Sequence, residues 1–147
     1  ELPKDLDITE INLSYKDLKK CYDLTRYTKL VELNISFNKL THLDNLPPNL
    51  EKLDCNYNKL TTLDNLSLKL QILYCRGNQL TTLDNLPFGL KELYCGYNEL
   101  TEFPKLPTSL DVLYCYNNKL TVLPDVKYAP SQNLANILLL EFISKTE

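Results

Sequence analysis

The chain has 147 residues, of which 44% are hydrophobic and 24% are charged, and its formal net charge is −3. This length and composition are typical of one soluble globular domain with a sizeable core. The net negative charge argues against a basic surface that would bind the phosphates of a nucleic acid. No apolar run reaches the roughly 18 residues that a membrane-spanning helix needs.

The N-terminal stretch ELPKDLDITE has no basic region followed by an apolar one, so it does not resemble a secretory signal. We expect residues 1–7 to form an N-terminal cap. The sequence contains no methionine, and we expect it to be a processed chain or a fragment of a longer one. Its five cysteines are an odd number, which favours a reducing, intracellular compartment over a disulfide framework.

Repeats occupy the chain from residue 8 to residue 129. Residues 8–29 are a looser, degenerate unit, with Lys16 at the position where later units have asparagine. Five 20-residue units then align without a gap over residues 30–129, for example LEKLDCNYNKLTTLDNLSLK and LQILYCRGNQLTTLDNLPFG. Their shared pattern is L-x-x-L-x-[IC]-x-x-N-x-L. A fixed period of this length predicts a solenoid.

Within a unit, alternation along a short strand places every second side chain on the same face of the sheet. Leu53 and Cys55 are therefore expected in the core, and Lys52 and Asp54 on the outward face. A single unit cannot bury its leucines, so stacked units must share one continuous core. Prolines in the second half of the units, such as Pro87, disfavour an α-helix between the strands.

The repeated pattern resembles the leucine-rich repeat family over residues 8–129. Its period and its prolines, as in TEFPKLPTSL, are similar to the short repeats of bacterial effectors secreted into host cells. The LDNLP segments and cysteine-rich strands are similar to repeat proteins of giant viruses and some bacteria. The resemblance implies an α/β-type solenoid: a curved right-handed arc with a parallel β-sheet on its concave face and an irregular, polyproline II or 3₁₀ convex face. It places the chain in host-cell cytoplasm if it is such an effector or a viral protein.

After the repeats, residues 131–147 read SQNLANILLLEFISKTE and combine a candidate N-cap, Ser131, with an apolar run. We expect residues 130–147 to form a capping segment with a helix, because the end of a solenoid otherwise exposes its leucines. Residues 1–147 would then be a single domain. The alternative is that this segment begins a further domain.

Four cysteines occupy one position of successive units, where they form a column: Cys55, Cys75, Cys95 and Cys115. Ile35 holds the same position one unit earlier, which indicates an apolar site. Strands lie about 4.8 Å apart, so the outermost cysteines would be about 14 Å apart, too far to share one zinc ion. Cys21 takes a leucine-like position in the first repeat. We predict that these cysteines pack in the core, and we expect neither a metal nor a cofactor.

Other recurrent polar residues are interpreted as structural. The asparagine of each unit, such as Asn58, is expected to hydrogen bond to the backbone where the chain turns after the strand. Asp-Asn pairs such as Asp64 and Asn65 lack the converging oxygens of a calcium site and are expected to form turns. His42 has no second histidine or suitably placed serine for a catalytic set. No catalytic residue is predicted.

Functional residues are expected on the outward face of the sheet, where the repeat pattern leaves the residue type free. Outward residues are polar in the N-terminal strands and aromatic in the C-terminal ones. The candidate partner-binding residues are Ile72, Tyr74, Arg76, Tyr94, Val112, Tyr114 and Tyr116. Tyrosine and arginine are enriched in binding hot spots. The alternative is that neighbouring tyrosines only stabilise the sheet by stacking.

The sequence therefore predicts a monomeric, non-enzymatic module that binds a protein partner through the concave sheet surface. Neither nucleic acid nor a membrane is an expected partner. The alternative, which the effector resemblance implies, is the substrate-targeting part of a larger enzyme such as a ubiquitin ligase. The matching catalytic cysteine motif is absent from the sequence, and the 18 residues after Ala129 are too few for a catalytic domain.

Overall fold

A computed structural model describes residues 2–103 and 105–121. This part of the chain contains one strand of three residues in each repeat. The strands are β1 (Glu10–Asn12), β2 (Glu32–Asn34), β3 (Lys52–Asp54), β4 (Ile72–Tyr74), β5 (Glu92–Tyr94) and β6 (Val112–Tyr114). They form a single parallel sheet in chain order, from β1 to β6. The predicted parallel-strand solenoid is confirmed.

The repeat period sets the register of the sheet. Leu53 pairs with Leu33 on one side and with Leu73 on the other, each one repeat away. Ile11 pairs with Leu33 across the longer first repeat. Equivalent residues of successive repeats therefore lie side by side in columns that cross the sheet.

The core consists mainly of leucines stacked between the sheet and the connections. Leu53, Leu73 and Leu93 at the centres of their strands have no exposed surface, and the leucines that open the repeats, such as Leu70 and Leu90, are buried as well. Each buried leucine stabilises the fold by about 1.5–3 kcal/mol relative to an exposed one. Because every repeat buries its leucines against its neighbours, stability is shared along the stack.

The connections between strands consist of turns, bends and irregular segments, which is the irregular form among those predicted for the convex face. In several repeats one backbone hydrogen bond closes a four-residue turn shortly before the strand: Leu70 to Ser67, Leu90 to Pro87 and Leu110 to Pro107, with N···O distances of 3.0, 3.0 and 3.1 Å. Residues 2–103 and 105–121 contain neither an α-helix nor a 3₁₀-helix. Because proline lacks an N–H and fixes φ, a single turn does not extend into a helix here.

The predicted α/β class depends on the capping helix, and this helix, with residues 130–147, lies outside the described residues. Over the ranges that the structure describes, only strands and turns are present. No helix in these ranges is long and apolar enough to pass through a bilayer.

The segment before β1 is attached to the first repeat. Tyr27 has no exposed surface, and its hydroxyl donates a hydrogen bond to the carbonyl oxygen of Pro3 at 2.6 Å. Leu2 packs against the leucine core. These contacts connect the N-terminal segment to the first repeat and to the core.

Candidate functional site

A column of buried asparagines holds the turn that follows each strand. In Asn78, Nδ2 donates to the carbonyl oxygens of Cys55 and Cys75, both at 3.1 Å, and Oδ1 accepts the N–H of Leu60 at 3.0 Å. The carbonyl of Cys75 also accepts from Asn98 at 2.9 Å, so consecutive asparagines share their acceptors. The predicted structural role of the asparagines is confirmed.

The cysteine column is part of the core. Cys55, Cys75 and Cys95 have no exposed surface, and Cys115 is 3% exposed. The thiol of Cys55 donates to the carbonyl oxygen of Tyr74 at 3.3 Å. Burial raises the pKa of the Cys55 and Cys75 thiols well above the ordinary value of 9.0. No group of His, Cys, Asp and Glu within residues 2–103 and 105–121 is arranged to hold a metal ion. The predicted packing role is confirmed.

We expect the free energy of unfolding to fall as the pH rises above about 9. In the unfolded chain the thiols lose their protons near this pH, whereas the folded chain keeps them protonated. Burial, followed by the nearby charge of Asp44, raises the pKa of Cys21 from 9.0 to about 11, and burial acts in the same direction on Cys55 and Cys75. Above this pH the unfolded state therefore binds fewer protons, so stability decreases.

Urea unfolding between about pH 7 and 10 measures this dependence. The matched control is Cys75→Ala, which removes one buried thiol and should make the decrease with pH shallower. A decrease equally steep in both proteins would contradict a contribution from the cysteine column.

The Asp-Asn pairs lie where the connections change direction: Asp84 and Asn85 form the predicted turn, and Asn45 and Asn65 lie at bends. Asn45, Asn65 and Asn85 all adopt the left-handed backbone conformation, with φ of 56°, 56° and 60°. Asparagine tolerates this conformation better than most residues. His42 is exposed beside the hydroxyl of Thr41. These residues shape the connections and do not contribute to the outward face of the sheet.

The outward face of β4, β5 and β6 carries a stack of three tyrosines. Ring centroids are 4.6 Å apart for Tyr74 and Tyr94 and 5.0 Å apart for Tyr94 and Tyr114, with interplanar angles of 21° and 11°. The stack forms because the register places these residues opposite one another. Tyr114, in the last of these strands, is 37% exposed. The prediction that the outward residues of the C-terminal strands are aromatic is confirmed.

The hydroxyl of Tyr94 donates a hydrogen bond to the carboxylate of Glu92 at 3.0 Å. Burial and this carboxylate raise the pKa of Tyr94 to about 12. The central phenol of the stack is therefore neutral at physiological pH and is fixed in orientation.

Arg76 lies among a second group of rings, just after β4. Its Cζ atom is 4.8 Å from the ring centroid of Tyr97, 5.3 Å from that of Tyr116 and 5.7 Å from that of Tyr57. These distances are within the range of cation–π interactions. The Nε atom of Arg76 is buried and has no hydrogen-bond partner in the described part of the chain. The guanidinium group is thus held by aromatic faces.

Two of the three glycines in the sequence provide space for these rings. A Cβ atom at Gly77 would lie 2.6 Å from Cδ1 of Tyr57, and one at Gly96 would lie 3.2 Å from the ring of Tyr116. Gly77 has a φ of 68°, but Tyr57 and Tyr97 adopt the same left-handed conformation in their own repeats. Space for a ring, rather than backbone freedom, therefore distinguishes the glycine at this position.

The tyrosine stack, together with Arg76 and Tyr116, lines a shallow cavity of about 330 Å³, which we term the aromatic cavity. Its lining residues are Asn56, Tyr74, Arg76, Tyr94, Gly96, Tyr114 and Tyr116. Asn56 positions the backbone of Arg76, since its Oδ1 accepts the Arg76 N–H at 2.7 Å.

The aromatic cavity brings together five of the seven predicted site residues. Ile72 and Val112 do not line it, because they lie two residues earlier, at the start of their strands. Ile72 instead lines a separate depression with Lys52 and Gln71. Asn56 and Gly96 line the cavity but are not among the seven predicted residues. Gly96 occupies the same repeat position as Arg76 and Tyr116, and a glycine at that position is a sequence signal for close packing of a ring.

A row of rings along β1 to β3 was also not predicted. The ring centroids of Tyr15 and Phe37 are 4.4 Å apart, and those of Phe37 and Tyr57 are 4.7 Å apart. The signal in the sequence is an aromatic residue directly before the asparagine position of several repeats. This row ends at Gly77, beside Arg76.

The N-terminal half of the same sheet face is polar, as predicted. A cavity of about 420 Å³ over β1 to β3 is lined by residues that include Glu10, Glu32, Lys52 and Asp54. Lys52 forms an ion pair with Glu32 at 3.0 Å, and burial raises the pKa of Asp54. The outward face is therefore divided into an acidic half and an aromatic half.

Known proteins share this architecture. Residues 48–88 match the family model described as leucine rich repeats (2 copies). No curated protein sequence matches the chain significantly. YopM from Yersinia enterocolitica WA-314 is 41% identical, with a TM-score of 0.64 over 67% of this chain. A Shigella effector LRR domain is 36% identical, with a TM-score of 0.76 over 80% of this chain. The functional domain of InlJ from Listeria monocytogenes, whose title notes a cysteine ladder, is 33% identical, with a TM-score of 0.75 over 84% of this chain.

The alignments cover 22% of the YopM chain, 53% of the Shigella chain and 28% of the InlJ chain. This chain therefore spans about a fifth to a half of the length of these relatives. The family model, the strand order and these structural neighbours agree with the repeat pattern of the sequence. The chain is a leucine-rich repeat protein, similar to the repeat domains of bacterial effector proteins.

Proposed function

We propose that this chain is a non-enzymatic module that binds a protein partner on the aromatic half of the sheet, which is the predicted concave face. The observation that carries the proposal is the aromatic cavity, where stacked tyrosines and an aromatic-bound arginine converge on one surface. The proposed contact residues are Tyr74, Arg76, Tyr94, Tyr114 and Tyr116. Ile72 and Val112 would contact the partner at the margin.

The chemistry of the cavity supports binding rather than sheet stability alone. Tyrosine and arginine dominate interface hot spots because they bury a large area and keep a polar end. In this cavity the rings are already fixed by stacking, and the hydroxyl of Tyr94 is fixed by Glu92. A partner would therefore lose little side-chain entropy on binding.

The proposed setting is a monomer in a reducing compartment, with host-cell cytoplasm supported by the effector relatives. Buried cysteines such as Cys55 and Cys75 that remain as thiols are typical of such a compartment. The net charge of −3 argues against nucleic acid as the partner.

A second candidate is the substrate-targeting part of a larger effector enzyme, such as a ubiquitin ligase. The observation that favours it is that the matched relatives are longer than this chain. In that case the aromatic cavity would select the substrate and another domain would supply catalysis. Both candidates assign the same binding surface to these repeats.

A selection from a displayed library of protein fragments tests the proposed surface. We expect binders that compete with one another and that are sensitive to Tyr94→Ala combined with Tyr114→Ala. The matched control is Phe88→Ala, since Phe88 is 79% exposed and lies outside the strands, in the connection leading to β5. Binders that respond to the Phe88 substitution and not to the tyrosine pair would overturn the proposal.

A further inference from the structure

We propose that the aromatic cavity recognises a carboxylate, supplied by an aspartate or glutamate side chain in an exposed segment of the protein partner. The carboxylate would pair with Arg76 while neighbouring apolar groups of the segment contact the tyrosine rings. This proposal rests on the proposed function and assigns a chemistry to its central contact.

The charge of Arg76 is not balanced by a carboxylate in the described part of the chain. Every ion pair found there uses a lysine: Lys29 with Asp7, Lys39 with Asp17, Lys52 with Glu32 and Lys119 with Glu99. Arg76 instead contacts three aromatic faces. These faces stabilise the cation but do not neutralise it, so an incoming anion meets a full positive charge.

The surroundings of Arg76 strengthen its attraction for an anion. Rings replace water around much of the guanidinium group, and a charge pair interacts more strongly in such a less polar medium. The Nε–H of Arg76 is buried without an acceptor, and a buried donor without an acceptor is unfavourable. An anion that binds the guanidinium group would supply the missing acceptor once the rings adjust.

A carboxylate fits this site better than a phosphate. Arg76 is the single cationic residue among the described residues that line the aromatic cavity, whereas phosphate groups are usually recognised by several arginines. The carboxylate of Glu92 lies beside the cavity, bonded to Tyr94, and would repel a dianion more strongly than a monoanion. The planar guanidinium group also matches the two oxygens of a carboxylate.

The division of the sheet face sets where the acidic group binds. Glu10, Glu32 and Asp54 make the half over β1 to β3 acidic. An acidic segment would be repelled there and attracted to Arg76. The partner segment is therefore expected to place its carboxylate over β4 to β6 rather than over the N-terminal strands.

A phage-displayed library of short linear peptides, selected on the wild-type chain and on Arg76→Gln in parallel, tests the proposal. We expect peptides selected on the wild type to be enriched in aspartate or glutamate at one position, and those selected on Arg76→Gln to lack this preference. An acidic peptide should bind Arg76→Gln about tenfold more weakly than the wild type. Replacing its glutamate with glutamine should weaken binding to the wild type by a similar factor and have little effect on the variant.

Further variants separate this proposal from the proposed function. Arg76→Lys keeps the positive charge but loses the planar guanidinium group, so it should bind acidic peptides with intermediate affinity. It replaces Arg76→Gln as the test variant if circular dichroism shows that Arg76→Gln folds poorly. Peptides that require Tyr94 and Tyr114 but show no acidic preference would overturn the proposal of carboxylate recognition and leave the proposed function intact. Tighter binding of a phosphoserine peptide than of its glutamate counterpart would also overturn it. Peptides indifferent to the tyrosines would instead overturn the proposed function.

Discussion

We expect Tyr94→Ala combined with Tyr114→Ala to weaken binding of a selected partner by about 100-fold, which corresponds to about 2.7 kcal/mol. The two substitutions remove most of the tyrosine stack, including the 5.0 Å contact between their own rings. Tyr74 would lose the ring that lies 4.6 Å away. Both the contact area and its pre-organisation would therefore decrease. Titration calorimetry with the purified partner fragment measures the change.

The fold should remain intact in this double variant, because each cross-strand pair stabilises a sheet by only about 0.2–1 kcal/mol. Thermal unfolding followed by circular dichroism checks this expectation. The control Phe88→Ala should bind with wild-type affinity. If the folded double variant bound as tightly as the wild type, the stack would be a stabilising feature of the sheet and not a binding site.

We expect Asn78→Ala to lower the free energy of unfolding by about 2–3 kcal/mol. The substitution leaves the N–H of Leu60, which donates to Asn78 Oδ1, without an acceptor inside the core. It also removes the donor to the carbonyls of Cys55 and Cys75. Each of these carbonyls keeps a second asparagine, at 3.2 Å for Asn58 and 2.9 Å for Asn98. The unpaired N–H is therefore the main cost.

Urea unfolding measures the change in the free energy of unfolding. Amide hydrogen exchange at Leu60 shows whether the loss of stability originates at its unpaired N–H. Exchange at Leu60 should become faster than at equivalent leucines in other repeats. Thr81→Ala is the matched control, because Thr81 lies in the same repeat and is exposed; its effect should stay within about 0.5 kcal/mol. Equal stabilities for Asn78→Ala and the control would show that the asparagine column does not support the fold.

Several features of the fold were predictable because they depend on the period alone. A constant 20-residue unit sets the register, and alternation along a strand then decides which residues are buried. Leu53 and Cys55 follow this rule, as do the stacked rings of Tyr74 and Tyr94. The structure of the connections was less predictable. Turns and short 3₁₀ segments share the same local sequence preferences, and a single hydrogen bond separates one from the other.

The sequence by itself determined the columns: which residues lie side by side, which face the core, and that the outward face changes from polar to aromatic along the stack. These features follow from periodicity. Only the tertiary structure placed the guanidinium group of Arg76 among the rings of Tyr57, Tyr97 and Tyr116, which come from three other repeats. A long side chain has many rotamers, and the rings that surround it here include those of Tyr57 and Tyr116, which occupy space left across repeats by Gly77 and Gly96. Local sequence does not encode that space, because it exists only once the repeats are stacked.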